Sequence, residues 1–349
     1  MKEVEAYGTL GPSQDLEQMK IKRRGLGLTD VQIKIKYCGV CHTDIHFARN
    51  ELGMTEYPCV PGHEIIGRVI GVGDEVSKFK IGQLVGVGCM VDSCHDCSSC
   101  DEDLEQFCEN GMTLTYASPD PILGGVTMGG YSQEIVVEQR FVLRLEKNLD
   151  KPGAAPLLCA GITMYSPLRQ YNVSKSDKVG IIGFGGLGHM GIKLAVAMGA
   201  EVVAITSSQN KSRDAIELGA EQVLVSTDED AVDSAAGTFD LLINTIPADH
   251  DFSKYLGLLK RDKTMVIVGA SHMKMFSMSL LFGRKKVAGS LIGGIKETQE
   301  MLDFCAKNDI FSEIEIVDIK NINRVFEDVV SNKVRYRAVI DMCNFTKQG

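Results

Sequence analysis

Short stretches in which hydrophobic and polar residues alternate dominate the chain up to about residue 150. Examples are VQIKIKYCGV at 31–40, HEIIGRVIGVG at 63–73 and QEIVVEQRFVLRL at 133–145, with glycines and polar turns between them. A period of two places one face of a strand against a core and the other in solvent. The pattern predicts an antiparallel, barrel-like β domain whose functional residues lie on loops.

A different pattern begins near Val179, where apolar strands and helix-length segments follow one another. The strands are KVGIIG, EVVAIT, QVLVS, FDLLINT and TMVIVG. This order predicts a doubly wound parallel sheet with helices on both faces. The last segment, from KETQEMLDFCAKND to VRYRAVIDM, is expected to rejoin the first domain. We therefore predict an α/β protein with one domain at 1–154 and 295–349 and a second at 155–294.

The length and net charge of the chain indicate what kind of ligand it binds. The 349 residues suffice for two cores, and 46 acidic against 37 basic side chains give a formal charge of -9. This balance favours a small-molecule ligand over nucleic acid or an anionic membrane. The N-terminal segment has no apolar leader, and no stretch reaches the roughly 18 uncharged residues of a spanning helix. We predict a soluble, cytoplasmic protein.

The eleven cysteines form one cluster and a scattered set. An odd number in a chain of this length favours reduced thiols, some of them metal ligands, over a disulfide scaffold. The spacings in SCHDCSSCDEDLEQFC suit a closed zinc site with no position for substrate, formed by Cys94, Cys97, Cys100 and Cys108. A ferredoxin-type iron–sulfur cluster has a different spacing around its fourth cysteine. The cysteines without a partner spacing are expected to be buried: Cys38, Cys59, Cys89, Cys305 and Cys343.

The sequence GFGGLG follows the strand VGII directly and opens a helix. In this context Gly183 permits a tight turn, Gly185 lets the backbone approach a pyrophosphate, and Gly188 allows close packing of helix on strand. Gly186 and Leu187 complete the loop. The further strand–helix units behind the motif argue against a chance match, and the loop predicts a dinucleotide cofactor.

The end of the next strand, AITSSQNKSR, indicates which dinucleotide binds. An NAD site usually has a carboxylate here that holds the ribose 2′-hydroxyl. Ser207 and Ser208 occupy that place and Lys211 follows, so hydroxyl donors and a cation are available for a 2′-phosphate. The serines could instead cap the next helix, and Lys211 could lie on its solvated face. We predict NADP.

Two segments, CGVCHTDIH and PGHEIIG, carry further metal-ligating residues. Together with Cys159 of APLLCAGIT, Cys41 and His63 supply two thiolates and an imidazole, the number of protein ligands that a catalytic zinc takes. Spacing alone is weak support for this set, because a buried cysteine is usually a small hydrophobic residue.

The whole pattern resembles the zinc-dependent medium-chain alcohol dehydrogenases, and within them the branch similar to cinnamyl alcohol dehydrogenase. The matching segments run in the family's order from about residue 35 to 342: CGVCHTDIH, YPCVPGHEIIGRV, CSSCDEDLEQFC, PLLCAGITMYSPL, GFGGLGHMGIKLA, GRKKVAGSLIGGIKETQEMLDFC and VRYRAVIDM. The resemblance implies a GroES-like β-rich catalytic domain, a Rossmann cofactor domain, and one catalytic and one structural zinc ion per chain. It also implies a homodimer, because the strand matching VAGSLIG lies at the subunit interface in relatives.

The same resemblance assigns ligands to the catalytic zinc. The residues that match Cys41, His63 and Cys159 bind the metal in the family, and the glutamate that matches Glu64 lies beside it. Asp44 is expected to accept the second ring N–H of His63, as carboxylates behind metal-bound histidines do.

The resemblance also implies a proton path. The threonine that matches Thr43 bonds the substrate oxygen, and the histidine that matches His46 carries the proton onward to solvent. Zinc acts as a Lewis acid on the aldehyde oxygen, and NADPH supplies the hydride.

The expected substrate pocket departs from the family. Plant members carry a tryptophan shortly after the fourth cysteine of the lobe, whereas this chain has ENGMTLTYAS there and no tryptophan. Leu114 is expected to fill the place of the tryptophan. Segments that line the pocket in relatives contain Leu52, Met54, Leu291 and Ile292 here, so the site should be apolar and roomy. We therefore predict a broad aldehyde reductase for aromatic (cinnamyl-type) and medium-chain aliphatic aldehydes.

Other classes fit the residues less well. A metal-free quinone reductase would lack the three zinc ligands, and a zinc-storage protein would not need GFGGLG. An NAD-linked polyol dehydrogenase would usually carry an acidic residue near Ser207. The alternative that stays open is an NAD(P)-dependent polyol dehydrogenase or another zinc medium-chain dehydrogenase.

Overall fold

The computed structural model describes residues 1–345, which form two compact units. Unit 1 comprises Met1–Cys159 and the segment from Gly293 onward, and unit 2 comprises Ala160–Ile292. These boundaries lie a few residues from the expected ones, and Cys159 falls in unit 1. Within the described part of the chain, no helix has the length and apolar character needed to span a bilayer.

The first part of unit 1 consists of short strands joined by loops. In the strand Asp30–Val40, Val31, Ile33 and Ile35 are buried while Lys34 is exposed, which is the alternation expected of a half-buried sheet. The elements are β1 (Lys2–Gly8), β2 (Glu17–Arg23), β3 (Asp30–Val40), α1 (His42–Ala48), β4 (Ile65–Val72), β5 (Leu84–Val87), β6 (Met90–Asp92), α2 (Ser98–Asp101), β7 (Thr113–Leu114), β8 (Glu134–Glu138) and β9 (Leu143–Arg144).

Strands and helices alternate through unit 2. The elements are α3 (Ala160–Gln170), β10 (Lys178–Ile182), α4 (Gly188–Ala197), β11 (Glu201–Thr206), α5 (Ser212–Glu217), β12 (Gln222–Val225), α6 (Glu229–Ser234), β13 (Phe239–Asn244), β14 (His250–Asp251), α7 (Phe252–Leu256), β15 (Leu259–Ile267), β16 (Met273–Lys274), α8 (Met278–Leu281) and β17 (Lys286–Gly289).

Six of these strands form a parallel sheet in the order β12-β11-β10-β13-β15-β17. The chain runs outward from β10 to β12 and then returns to β13, so the strand order reverses between β10 and β13. Dinucleotides bind at the carboxyl ends of the strands at such a reversal. This topology confirms the predicted Rossmann domain.

The last segment returns to unit 1 and contributes α9 (Ile295–Asn308), β18 (Ile314–Val317), α10 (Ile322–Val330) and β19 (Arg337–Asp341). Strand β19 pairs antiparallel with β3, with Ala338 opposite Val40. The resulting sheet has the order β18-β19-β3-β4-β5-β9, and β8 also pairs with β3. The pairing brings the start of β19 beside the end of β3, where the metal-ligating residues begin.

Candidate metal and cofactor sites

The first candidate site is organised around helix α1, which begins directly after Cys41. The Asp44 carboxylate accepts a hydrogen bond from the backbone N–H of Cys41 at 2.8 Å and is fully buried. This bond caps the helix and holds the chain at the Cys41 turn. The Thr43 hydroxyl lies 3.5 Å from Cys41 Sγ, so the local sequence CHTD places both side chains at one point.

Ligand atoms of Cys41, His63, Glu64 and Cys159 lie within 4.8 Å of one another, and all four residues are buried. The two sulfur atoms are 3.8 Å apart. A tetrahedral zinc with bonds to sulfur of about 2.3 Å requires sulfurs about 3.8 Å apart. His63 Nδ1 lies 3.1 Å from Asp44 Oδ1, which leaves Nε2 for a metal. This donor set therefore fits a zinc ion.

Glu64 is fully buried, and its two oxygens have different surroundings. Oε1 accepts a hydrogen bond from Arg337, whereas Oε2 has no hydrogen-bond partner among the described residues. A Cβ at Gly39 would lie 1.9 Å from Oε2, so a side chain at Gly39 would displace the carboxylate. Burial raises the pKa of Glu64 to about 7, although Arg337 opposes the shift. A buried carboxylate oxygen without a donor, in a cluster of metal-ligating atoms, fits a nearby cation.

Sequence reasoning missed several neighbours of this cluster. Arg337 lies in VRYRAVIDM, and the available signal was a basic residue at the start of a strand, directly before the apolar residues AVI. The Tyr131 hydroxyl donates to Asp44 at 3.3 Å, and the Tyr116 ring lies 5.7 Å from the His63 ring. No local pattern distinguishes either tyrosine from ordinary core residues.

Two of the scattered cysteines differ from the expectation of buried thiols. Cys343 is exposed, and Cys89 is only half-buried and contacts Cys159. The hydrogen-bond contact with Cys159 holds the pKa of Cys41 well below its usual value. Burial raises the pKa of Cys59 and of Cys305 to about 12, so these two are inert buried thiols as expected.

His46 lies on α1, three residues after Thr43 in the chain. Its Nδ1 contacts the Glu51 carboxylate, and a third of its side chain is exposed. The ring of His42 lies 4.7 Å away. Thr43 and His46 therefore share one helix face that leads from the buried cluster towards the surface of unit 1.

The second candidate site is the cysteine lobe, where the sulfur atoms of Cys94, Cys97, Cys100 and Cys108 lie within 4.8 Å of one another. The separation is 3.9 Å between Cys94 and Cys100 and 4.0 Å between Cys97 and Cys108. Backbone N–H groups of Cys94 and Glu109 donate to the sulfurs of Cys108 and Cys97, both at 3.4 Å. The distances suit a tetrahedral four-thiolate zinc site, and the N–H donors stabilise thiolate charge.

The glycine-rich loop joins β10 to α4. Gly183 has φ +91°, which few other residues adopt, and a Cβ at Gly188 would lie 2.1 Å from the Gly183 carbonyl oxygen. No described atom lies within 4 Å of a Cβ position at Gly185, so a ligand can approach its backbone. Gly186 and Leu187 form the turn before α4. The loop has the backbone that a pyrophosphate site requires.

The residues after β11 are arranged differently from a simple helix cap. Ser207 is exposed, and the side chain of Ser208 makes no capping hydrogen bond to the short turn Gln209–Lys211. Lys211 Nζ donates to the Phe184 carbonyl at 3.0 Å. Lys211 therefore joins this turn to the glycine-rich loop instead of lying on a solvated helix face.

The residues expected in the substrate pocket are found in both units. In unit 1, Leu52 and Met54 are exposed, and Leu114 packs with Phe47, Cys59 and Tyr116. In unit 2, Leu291 is exposed and Ile292 is half-buried. Leu52 and Met54 follow α1 in the chain, and as exposed large apolar side chains they are available to an apolar ligand.

Two family models match this chain. The alcohol dehydrogenase GroES-like domain matches residues 27–147, and the zinc-binding dehydrogenase model matches residues 186–307.

Individual proteins match over nearly the whole chain. An aldehyde reductase of Escherichia coli is 51% identical, over 97% of this chain and 98% of its own. A mannitol dehydrogenase of Petroselinum crispum is 48% identical, over 95% and 99%. The structure of the CAD from Helicobacter pylori complexed with NADP(H) superposes with a TM-score of 0.92 at 40% identity, over 98% of both chains.

Proposed function

This chain belongs to the zinc-dependent medium-chain alcohol dehydrogenases, and we propose that it reduces aromatic and medium-chain aliphatic aldehydes with NADPH. It is an oxidoreductase that interconverts alcohols and aldehydes, and its cofactors are zinc and NADP. The observation that carries the proposal is the buried cluster of Cys41, His63 and Cys159 beside a Glu64 oxygen that has no donor in the described part of the chain.

We assign the catalytic zinc to Cys41, His63 and Cys159. This set has three ligands and leaves a position for substrate, whereas the four thiolates of the lobe complete a tetrahedron and can only stabilise the fold. The chemistry that zinc and NADPH supply together is polarisation of the aldehyde oxygen and delivery of hydride to the carbonyl carbon.

The protein groups around the cluster orient ligands and move protons. Asp44 accepts from His63 Nδ1 and so keeps the Nε2 lone pair directed at the metal side. The Thr43 hydroxyl, 3.5 Å from Cys41 Sγ, is placed to exchange a proton with a substrate oxygen. His46, partly exposed and paired with Glu51, can pass that proton to solvent.

The preference for NADP rests on the end of β11. Ser207 and Ser208 offer hydroxyl donors where an NAD-specific site has a carboxylate. Lys211, held against the Phe184 carbonyl, adds a positive charge beside the glycine-rich loop. This arrangement favours a 2′-phosphate and would not repel it.

An apolar aldehyde is the substrate class that these residues favour. Burying a phenyl ring against Leu52, Met54 and Leu114 would gain several kcal/mol at about 25 cal/mol per Å². A carboxylate or a chain of hydroxyls would lose its water there without gaining partners. An apolar aldehyde and a polyol are the two substrate classes suggested by the names of two relatives, an aldehyde reductase and a mannitol dehydrogenase, and the apolar side chains favour the aldehyde.

We also propose that the enzyme is a cytoplasmic homodimer. Strand β17 forms the edge of the parallel sheet, and three large apolar side chains near it in the chain are exposed by two-thirds or more: Phe276, Leu281 and Phe282. An edge strand with exposed apolar side chains near it in the chain can pair with a second copy. The eleven cysteines form no disulfide within the described residues, which suits a reducing compartment. Light scattering at micromolar concentration that gave the 38.0 kDa monomer would contradict the dimer.

The experiment that tests the proposed function is a comparison of initial rates with NADPH and NADH. The panel contains benzaldehyde, cinnamaldehyde, hexanal, glyoxylate and glyceraldehyde, and mannitol with the oxidised cofactors. We expect the highest kcat/KM with NADPH and the apolar aldehydes. A higher kcat/KM for mannitol or glyceraldehyde would overturn the substrate assignment, and equal use of NADH would overturn the cofactor assignment.

A further inference from the structure

The turn that follows β13 lies directly against the glycine-rich loop. Asn244, the last residue of β13, is in register with Ile182, the last residue of β10. Thr245 donates its backbone N–H to the Ile182 carbonyl at 2.9 Å, and its hydroxyl donates to the same carbonyl at 2.9 Å. The position of Gly183, which follows Ile182, therefore depends on the position of Thr245.

The contact with Gly183 is close. A Cβ at Gly183 would lie 2.6 Å from Thr245 Oγ1 and 3.2 Å from Ile246 Cγ1. Thr245 and Ile246 thus form the wall behind the first glycine of the motif. A shift of this wall would shift the backbone that receives the pyrophosphate.

Asn244 holds the wall through its side chain, which is almost fully buried. Its Oδ1 accepts from the backbone N–H of Ile246 at 3.1 Å, and its Nδ2 lies 2.8 Å from His250 Nε2. Because an amide nitrogen can only donate, His250 Nε2 must accept. The hydrogen bond that Asn244 Nδ2 donates to His250 Nε2 therefore fixes the orientation of the Asn244 amide.

The His250 ring is held with Nε2 as the acceptor. Its Nδ1 lies 2.6 Å from the Ala248 carbonyl, which can only accept, so Nδ1 carries the proton and Nε2 has the lone pair. Its ring stacks on Phe252 at 4.4 Å and meets Tyr255 edge-on at 5.8 Å. The imidazole thus has one position and one tautomer.

We infer that His250 is a positioning residue for NADP(H): by accepting from Asn244 it holds Thr245 and Ile246 against Gly183 and so preorganises the glycine-rich loop. The inference rests on the proposed use of this loop for NADP(H). It concerns cofactor affinity and not hydride transfer, because His250 acts on the loop through Asn244.

Two amide substitutions test this role with little change in polarity. In His250→Gln, the amide oxygen can take the place of Nε2 and accept from Asn244. In His250→Asn, the shorter amide can replace Nδ1 but does not reach Asn244. We expect the Kd for NADPH, measured by its fluorescence in a titration of the purified enzyme, to rise about three- to tenfold in His250→Asn, the effect of one lost hydrogen bond. His250→Gln should stay within about twofold of the unchanged protein, and kcat at saturating NADPH should change little in both.

Further variants serve as controls. His272→Phe changes an almost fully exposed histidine on the neighbouring segment and should leave the Kd unchanged. His250→Phe keeps the ring contacts and should behave like His250→Asn, and in an Asn244→Ala background it should weaken NADPH binding no further, because His250 acts through Asn244. The inference is wrong if His250→Asn binds NADPH as tightly as the unchanged protein, or if His250→Gln loses as much affinity as His250→Asn. Failure of the unchanged protein to bind NADPH would instead overturn the proposed cofactor site.

Discussion

Replacing Asp44 by asparagine should weaken the metal cluster without changing any ligand. The Asp44 carboxylate accepts from four donors in a fully buried position. Oδ2 receives the N–H of Cys41 at 2.8 Å and the hydroxyl of Tyr131 at 3.3 Å. Oδ1 receives the N–H of Gly62 at 3.0 Å and lies 3.1 Å from His63 Nδ1. Asparagine has the same shape but presents an NH2 group to two of these donors.

The size of the effect follows from those contacts. Each buried donor left without an acceptor costs about 1–3 kcal/mol, so two of them lower the free energy of unfolding by about 2–6 kcal/mol. Loss of the carboxylate behind a metal-bound histidine typically weakens metal binding about 10- to 100-fold. Asp44→Asn should therefore lower Tm and release one zinc ion faster.

Zinc release from the holoenzyme to a chromogenic chelator measures the second effect, and thermal unfolding measures the first. A Cys41→Ser variant, which should lack the catalytic zinc, identifies the phase of release that belongs to it. Asp30→Asn is the matched control, because Asp30 is also a buried carboxylate but pairs with Arg24 and the N–H of Gly27. Asp30→Asn should lower Tm without changing the rate at which either zinc ion is released. Zinc release from folded Asp44→Asn at the rate of the unchanged protein would refute the reasoning.

Three further predictions concern the metal ions, the cofactor and the substrate. Cys41→Ser should abolish turnover while Tm stays near that of the unchanged protein, whereas Cys100→Ser should chiefly lower Tm. Both predictions require two zinc ions per chain, so metal analysis showing one zinc ion in the unchanged enzyme would contradict them. Ser207→Asp should erode the preference for NADPH by repelling the 2′-phosphate, and an unchanged ratio of kcat/KM for NADPH and NADH would exclude Ser207 from the site. Leu291→Ala should favour bulkier ring-substituted benzaldehydes over benzaldehyde itself. If the variant and the unchanged protein rank these aldehydes identically by kcat/KM, Leu291 does not line the pocket.

Much of the fold and of the candidate sites could be predicted from residues that lie close together in the sequence. The period-two segments predicted the sheet of unit 1, and the strand–helix order predicted the parallel sheet of unit 2; both are confirmed. GFGGLG could be interpreted directly because its function depends on backbone conformation within six neighbouring residues. The four lobe cysteines could be interpreted for the same reason, since a short loop brings them together.

Contacts between distant segments could not be predicted in this way. Arg337 meets Glu64 across 273 positions, and this contact depends on the pairing of β19 with β3. The contact of Cys89 with Cys159 and the bond from Lys211 to Phe184 likewise join residues from separate elements. Sequence spacing predicted a buried thiol for Cys89 and a phosphate ligand for Lys211, but it contained no information about these partners.

The sequence by itself determined the fold class, the family and the kinds of ligand that zinc and a dinucleotide require, because those depend on side-chain chemistry and on short, regular spacings. Only the tertiary structure decided which groups surround those ligands. It pairs Arg337 with one oxygen of Glu64, while the other oxygen has no hydrogen-bond partner among residues 1–345. It also directs four donors at Asp44 and links His250 through Asn244 to the turn behind Gly183. Strand register and buried hydrogen bonding produce these contacts, and both arise only when the whole chain is folded.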